Sequence, residues 1–336
     1  MAFRDITGHR RMLDLIARAA MRGTLPPSVI FAGPEGVGKR MTAVALAQLM
    51  NCLTVRDAAE VPADACGVCA SCKRISRGVH ADVLLIEPAD TGAIKIDQVR
   101  DAIERAAYRP FEGRRRVVII DDADLMNADA QNALLKTLEE PPAASTFVLV
   151  TARPDMLLPT VRSRCQRLRF GRLSPADVAA VLMRDHQYSA ADAGAAASLS
   201  DGSVGLALEG GSEAFVEARE AAVELLETAA GSDDPRRRLA GAKALAGAAR
   251  GGSDRDELAR RLRALGSILR DLGALLSRAD ERTLANADLQ SLFGRLQRSF
   301  DGERVLRAFS AVDRALAALE RNASPKVVAD WVAFQI

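Results

Sequence analysis

Gly33-Pro34-Glu35-Gly36-Val37-Gly38-Lys39-Arg40 is the stretch whose reading decides the fold. It follows an apolar run, Val29-Ile30-Phe31-Ala32, and precedes a helix-like segment from Met41 to Asn51. Strand, glycine-rich loop and helix in that order are the setting of a phosphate-binding loop, and G-x-x-x-x-G-K is complete from Gly33 to Lys39. The glycines let successive backbone N–H groups turn inward, the helix N-terminus adds partial positive charge, and Lys39 adds a full one. Gly33, Gly36, Gly38 and Lys39 form the expected cradle; the competing reading is a glycine-rich turn with no ligand.

The next position departs from the pattern. A Ser or Thr hydroxyl there ligates Mg2+, whereas Arg40 offers no oxygen to a hard cation. Held ~4 Å from Mg2+, its charge would be repelled by roughly 8 kcal/mol at an effective dielectric of about 20. The side chain can swing away, so that figure is an upper bound. The pattern supports a phosphate site and argues against Mg2+-assisted hydrolysis of ATP on it.

Downstream, Val117-Val118-Ile119-Ile120 is a β-branched run that fits a strand buried on both faces of a parallel sheet. Asp121 at its carboxyl end stands where phosphate-loop proteins place a Mg2+-supporting acid, and Asp122 stands where hydrolytic versions have Glu. The two aspartates also fit a plain strand end and turn. Val83–Glu87, Thr146–Thr151 and Gln166–Phe170 read as further strands. Helices are expected over residues 97–108 and after a capping Asn127. This alternation implies a doubly wound parallel sheet up to about residue 171.

An insertion interrupts that rhythm between Cys52 and His80. Cys52, Cys66, Cys69 and Cys72 have the spacing C-x13-C-x2-C-x2-C. Thiolates two residues apart can grip one ion from a single turn, and Cys52 can close a tetrahedron. Four soft ligands point to Zn2+ in a closed structural site; buried free thiols and an iron–sulfur cluster are the alternatives. Lys73, Arg74 and Arg77 could offset the charge of a tetrathiolate. His80, with no nucleophile paired to it in the sequence, reads as structural.

The chain has 336 residues, enough for two or three domains, with 4% aromatic residues and a net charge of +2. So balanced a charge does not by itself indicate nucleic-acid binding. Absence of a transmembrane-length apolar run or signal peptide makes a cytoplasmic protein with no membrane partner the simplest expectation. After Leu173 the composition turns helical. Ser174-Pro175 and Ser189 start helices, and breaks are expected at Gly210-Gly211-Ser212 and Gly231-Ser232-Asp233-Asp234. Leu258, Leu262, Leu265, Leu269, Leu272 and Leu276 form one stripe; Val305, Phe309, Val312, Leu316 and Leu319 form another. Both read as bundle core and Trp331 as packing; Asn322 begins a sequon expected to be idle.

With these pieces in order the chain resembles the bacterial DNA polymerase III clamp-loader family of AAA+ proteins. The resemblance rests on Gly33–Lys39, the four-cysteine insertion after the loop helix, the segment from Ala130 to Pro142, and Ser163-Arg164-Cys165. It implies an α/β AAA+ phosphate-loop core over residues 1–172 carrying a zinc module at about 52–72. A helical lid over 173–212 and an all-helical collar over 213–336 would follow. It makes Arg164 an arginine finger and Thr151 a first-sensor residue. It implies partnership with motor (gamma/tau) and delta subunits, and with the sliding clamp and primed DNA through the assembly. Departures from the motor pattern are Arg40, Asp122, and Asp201-Gly202-Ser203-Val204-Gly205-Leu206, which lacks the expected sensor arginine. Together they resemble the member that keeps the fold and the finger without a working ATPase. A motor-type ATPase and a zinc-dependent nucleic-acid-binding module are the competing readings.

Overall fold

Val29, Ile30 and Phe31 are all buried because their strand lies inside a sheet covered on both faces. The structure, a computed structural model, describes residues 2–58, 61–89, 92–209, 211–231, 234–246, 254–277, 284, 286, 289–321 and 323–336. It divides into two compact units, Met1–Asp177 and Val178–Ile336.

In the first unit a short turn of 3-10 helix, Phe3–Asp5, precedes α1 (Arg10–Met21), β1 (Ser28–Ala32) and α2 (Lys39–Asn51). The insertion holds β2 (Arg56–Ala58), β3 (Val61–Asp64) and α3 (Ala70–Ser76). Then come β4 (Val83–Ile86), α4 (Ile96–Ala107), β5 (Arg116–Ile120), α5 (Ala128–Glu139), β6 (Ser145–Thr151), α6 (Pro159–Arg162) and β7 (Gln166–Arg169). Five strands form one parallel sheet in the order β4-β5-β6-β1-β7. All five strands expected from the sequence are present. The antiparallel pair β2–β3 was not expected; it closes the loop between Cys52 and Cys66.

The period of two sorts the core. Ile30, Val118, Ile120, Phe147 and Leu149 face one layer with Val99 and Ala102 of α4 and Leu134 and Leu138 of α5. Val29, Phe31, Val117, Ile119, Val148 and Val150 face the other, with Leu13 and Ile16 of α1 and Leu46 and Leu49 of α2. Truncating a buried ring such as Phe147 to Ala would cost about 3–5 kcal/mol. Asn127 caps α5 as expected, its Oδ1 accepting the Ala130 N–H at 2.9 Å.

The second unit is helical: the rest of α7 (Pro175–His186), then α8 (Ala190–Leu199), α9 (Val204–Glu209), α10 (Gly211–Gly231) and α11 (Pro235–Ala246). α12 (Asp254–Leu276), α13 (Gln290–Leu296), α14 (Gly302–Glu320) and α15 (Pro325–Gln335) complete it. Leu258, Leu262, Leu265, Leu269 and Leu272 are buried on α12, as are Val305, Val312 and Leu319 on α14. The stripes are core, as expected. Trp331 is half-buried, with the Arg314 guanidinium 5.2 Å above its ring. The break expected at 210–212 narrows, because α10 already contains Gly211 and Ser212. Gly210, Ser232, Asp233 and Asn322 lie outside the described residues. No helix among the described residues is long and apolar enough to cross a membrane.

One buried carboxylate anchors the approach to β5. Asp82 accepts the N–H groups of Phe111, Glu112 and Gly113 at 2.7, 2.8 and 2.7 Å, and Arg116 Nη2 at 2.7 Å. Burial pushes its carboxyl up, but these donors outweigh burial and hold it at about 2. A carboxyl depressed from 3.8 to about 2 gives stability that is present above about pH 4 and lost as pH falls toward 2. Asp82→Asn should therefore cost about 3 kcal/mol in urea unfolding at pH 7, since it strands Arg116. The gap to wild type should close as the pH is lowered to ~2; a gap unchanged at acid pH would contradict this.

Candidate functional site

Parallel pairing puts the carboxyl ends of β1, β4, β5 and β6 along one edge of the sheet, where open α/β sheets bind their ligands. Ala32 pairs with Thr151, and the loop that starts at Gly33 leaves from this edge. Gly33 is required by close approach: a Cβ there would sit 2.3 Å from the Phe170 carbonyl oxygen. Gly38 caps α2 with φ at 95°, a conformation L-residues avoid. The loop is thus shaped as the glycine pattern requires, with Gly36 also at positive φ.

Lys39 is 7% exposed and turned onto its own loop, its Nζ donating to the carbonyls of Gly33 at 2.7 Å and Pro34 at 2.5 Å. Burial lowers its pKa, against the opposing pull of Glu35, Asp122, Asp121 and Asp124. Arg40 does not swing away from the site. Its Nη1 stands 2.5 Å from Glu87 Oε1 and 3.3 Å from Asp121 Oδ2, between the carboxyl ends of β4 and β5. The sequence reading identified the substitution but not its partner, because Glu87 gave no sign of its own. Burial, then Asp122, raise the pKa of Asp121, and Arg40 opposes them. The residues present do not fit Mg2+: the acid that would support it is already paired with a cation, and α2 supplies no hydroxyl at position 40.

Asp122 adopts a left-handed conformation at φ 47°, and burial followed by Asp124 and Glu35 raise its pKa. Thr151 Oγ1 donates to Asp124 Oδ1 at 2.6 Å, and Arg153 Nε donates to Asp124 Oδ2 at 2.9 Å. Asp124 was missed in the sequence reading, although the run Asp121-Asp122-Ala123-Asp124 at the end of a buried strand was a signal for it. Arg164 follows α6 on the surface. Its Nε and Nη2 donate to Glu139 Oε1 at 2.9 and 2.5 Å, and its Nη1 to the Thr160 carbonyl at 2.9 Å. It is therefore paired with a local acid.

The four cysteines converge. The ligand sulfurs of Cys52, Cys66, Cys69 and Cys72 all lie within 4.8 Å of one another. Backbone N–H groups of Cys66, Cys69 and Cys72 donate to the sulfurs of Cys52, Cys66 and Cys69 at 3.2, 3.3 and 3.4 Å. Such donors favour thiolate. At Cys69 burial pushes the thiol up, yet the N–H groups of Cys72 and Leu53 carry it down to about 6. The donor set fits a soft tetrahedral metal. Of the three cations that could offset the thiolates, Arg74 pairs with Glu112 at 2.6 Å. Arg4 takes a place there, donating to the carbonyls of Ala65 and Cys66 at 2.7 and 3.1 Å and pairing with Asp64 at 3.1 Å. His80 is 4% exposed and its pKa is lowered by burial. Its Nδ1 accepts the Asp82 N–H at 3.1 Å, so a neutral ring carries its proton on Nε2, 3.2 Å from Ser71 Oγ.

The purified chain should carry about one metal ion, and stripping it should lower the melting temperature of the first unit by several degrees. Cys69→Ser should reproduce the loss; a metal-free chain that melts like the loaded one would contradict a metal role for the cluster.

Residues 8–174 match the family described as "DNA polymerase III, delta subunit". The DNA polymerase III subunit tau of Salmonella typhimurium is 37% identical over 163 residues, which are 48% of this chain and 24% of that one. The gamma/tau subunit of Mycobacterium bovis is 34% identical over 186 residues, 54% of this chain and 31% of that one. The chain thus spans less than a third of the length of these relatives. A solved gamma subunit-related protein from Thermotoga maritima covers 96% of this chain and 97% of its own, at 20% identity and a TM-score of 0.40, too low to carry an argument. The first unit is an α/β phosphate-loop domain with a cysteine module inserted between α2 and β4, and its residues 8–174 are similar to subunits of DNA polymerase III.

Proposed function

We propose that this chain is a delta-prime-type subunit of a DNA polymerase III clamp loader, which hydrolyses no ATP itself and assists hydrolysis by a neighbour. One observation carries the reading: Arg40 lies on Asp121 and Glu87, the acids at the edge where a catalytic metal would be needed. Asp122 in place of Glu and a left-handed backbone at that residue add to it. The chain works with gamma/tau-type motor subunits and a delta subunit, in the cytoplasm, to open the sliding clamp and set it on primed DNA. Residues 173–212 act as lid and 213–336 as the collar that joins subunits. The cysteine cluster holds Zn2+ as a structural brace between α2 and the insertion.

Arg164 acts in trans on ATP bound by the adjacent motor subunit. A guanidinium suits that task because it stays charged and donates two parallel hydrogen bonds to phosphate oxygens. Its pairing with Glu139 is half-exposed, and such pairs are worth about 0–1 kcal/mol, so the arginine leaves it readily. The relatives named gamma/tau favour a second reading, a motor ATPase. That reading requires Arg40 to withdraw from both acids and Mg2+ to bind without a hydroxyl at position 40.

Two assays separate these readings. The isolated chain with Mg-ATP should show no turnover above that of Lys39→Ala; turnover lost in that variant would establish the motor reading instead. In an assembly reconstituted with motor subunits, Arg164→Ala should leave the complex intact. The one site it serves should slow roughly a thousandfold, lowering total turnover by that site's share. Unchanged turnover would remove Arg164 from the mechanism.

A further inference from the structure

Arg40 is the second residue of α2, so its backbone is fixed beside the phosphate loop. From there its side chain reaches the carboxyl ends of two strands and places one nitrogen between Glu87 and Asp121. These strands are neighbours in register, Ile86 beside Ile120, so the two acids that follow them are brought together by the sheet itself. Two carboxylates so placed repel unless a cation lies between them. In phosphate-loop proteins that cation is a hydrated metal, and it also neutralises the outer phosphates. Here the cation is covalently part of the chain.

We infer that Arg40 is a built-in substitute for the divalent cation, making the loop a metal-independent site for a nucleoside di- or triphosphate. The inference rests on reading Gly33–Lys39 as a phosphate cradle. Three sources of positive potential then face the ligand: the loop N–H groups at the start of a 13-residue helix, the Lys39 ammonium and the Arg40 guanidinium. Both ion pairs of Arg40 use Nη1. A guanidinium has further N–H donors, so it can bond phosphate oxygens without releasing the acids. Its side chain is 49% exposed, which leaves it accessible to a ligand in the loop. Lys39 is held by two carbonyls of its own loop, which a phosphate would replace with a charge-assisted bond. Serine at position 40 would reverse the arrangement. It would remove the guanidinium, free Glu87 and Asp121, and restore the hydroxyl that a metal needs.

The test is a fluorescence anisotropy titration of the full chain with a fluorescent ADP analogue. It is run in buffer without added divalent ions and again with Mg2+; chelators are left out so that the cysteine cluster keeps its metal. The wild-type chain should bind with the same affinity in both buffers. Arg40→Ser should bind about tenfold more weakly without divalent ions and regain that loss with Mg2+. Arg40→Lys, which keeps the charge with less change at the helix, should remain independent of Mg2+. In parallel, electron paramagnetic resonance should detect nucleotide-dependent Mn2+ uptake by Arg40→Ser and none by the wild type. Wild-type affinity that rises about tenfold with Mg2+ would overturn the inference; so would an absence of binding in both buffers. Neither outcome touches the role of Arg164 in the assembly, which is read from the turnover of the motor subunits.

Discussion

A single guanidinium between two strand ends sets the chemistry of the first unit. The parallel sheet delivers Glu87 and Asp121 to the same edge, and helix α2 delivers Arg40 opposite them. One of the two negative charges at the site is therefore offset from within. Every phosphate-loop feature on the amino-terminal side of it is intact: the glycine at the close approach to Phe170, the left-handed cap at Gly38 and the buried Lys39. What has changed is the partner of the acids, from a diffusible metal to a tethered cation. A site altered in that respect, and by Asp122 in place of Glu, keeps the shape of its loop while losing the ion that polarises a leaving group.

The same division between a kept scaffold and altered chemistry runs through the rest of the unit. Asp82 ties the segment before β5 to the end of the insertion, and Asn51 at the end of α2 accepts the N–H groups of Arg114 and Arg115 at 2.9 and 3.0 Å. Arg4 and Asp64 tie the amino-terminal turn to the cysteine cluster. These polar anchors hold the loop helix and the insertion from several sides, so a metal in the cluster would stiffen the element that carries the phosphate loop. Arg164, proposed above as a finger, lies at the far end of a different segment, after α6, in a half-exposed pairing with Glu139.

The fold was legible where local pattern is strong. Val117–Ile120 fitted a strand buried on both faces, the Gly33–Lys39 pattern located the strand-to-helix turn, and the cysteine spacing anticipated one cluster. The pairings were not legible. Arg40 with Glu87, Asp82 with Arg116, and Thr151 with Asp124 join residues far apart in the chain, 34 positions in the second case and 27 in the third. Sequence periodicity has no access to such contacts, because they depend on which strands become neighbours. The β2–β3 pair escaped for another reason: its strands have three and four residues, too short for alternation to stand out. The repulsion figure for Arg40 weighed only a metal and not the attraction to Glu87 and Asp121, which the sequence did not place beside it.

The central claim is that a resident cation, not a metal, satisfies the acids at the carboxyl edge of the sheet. Crystals of the chain grown with ADP and Mn2+, with anomalous scattering recorded at the manganese edge, test it most directly. The account predicts a nucleotide in the Gly33–Lys39 loop, Arg40 still on Asp121 and Glu87, and no anomalous peak at those carboxylates. A manganese peak bound to Asp121 with Arg40 displaced would contradict it.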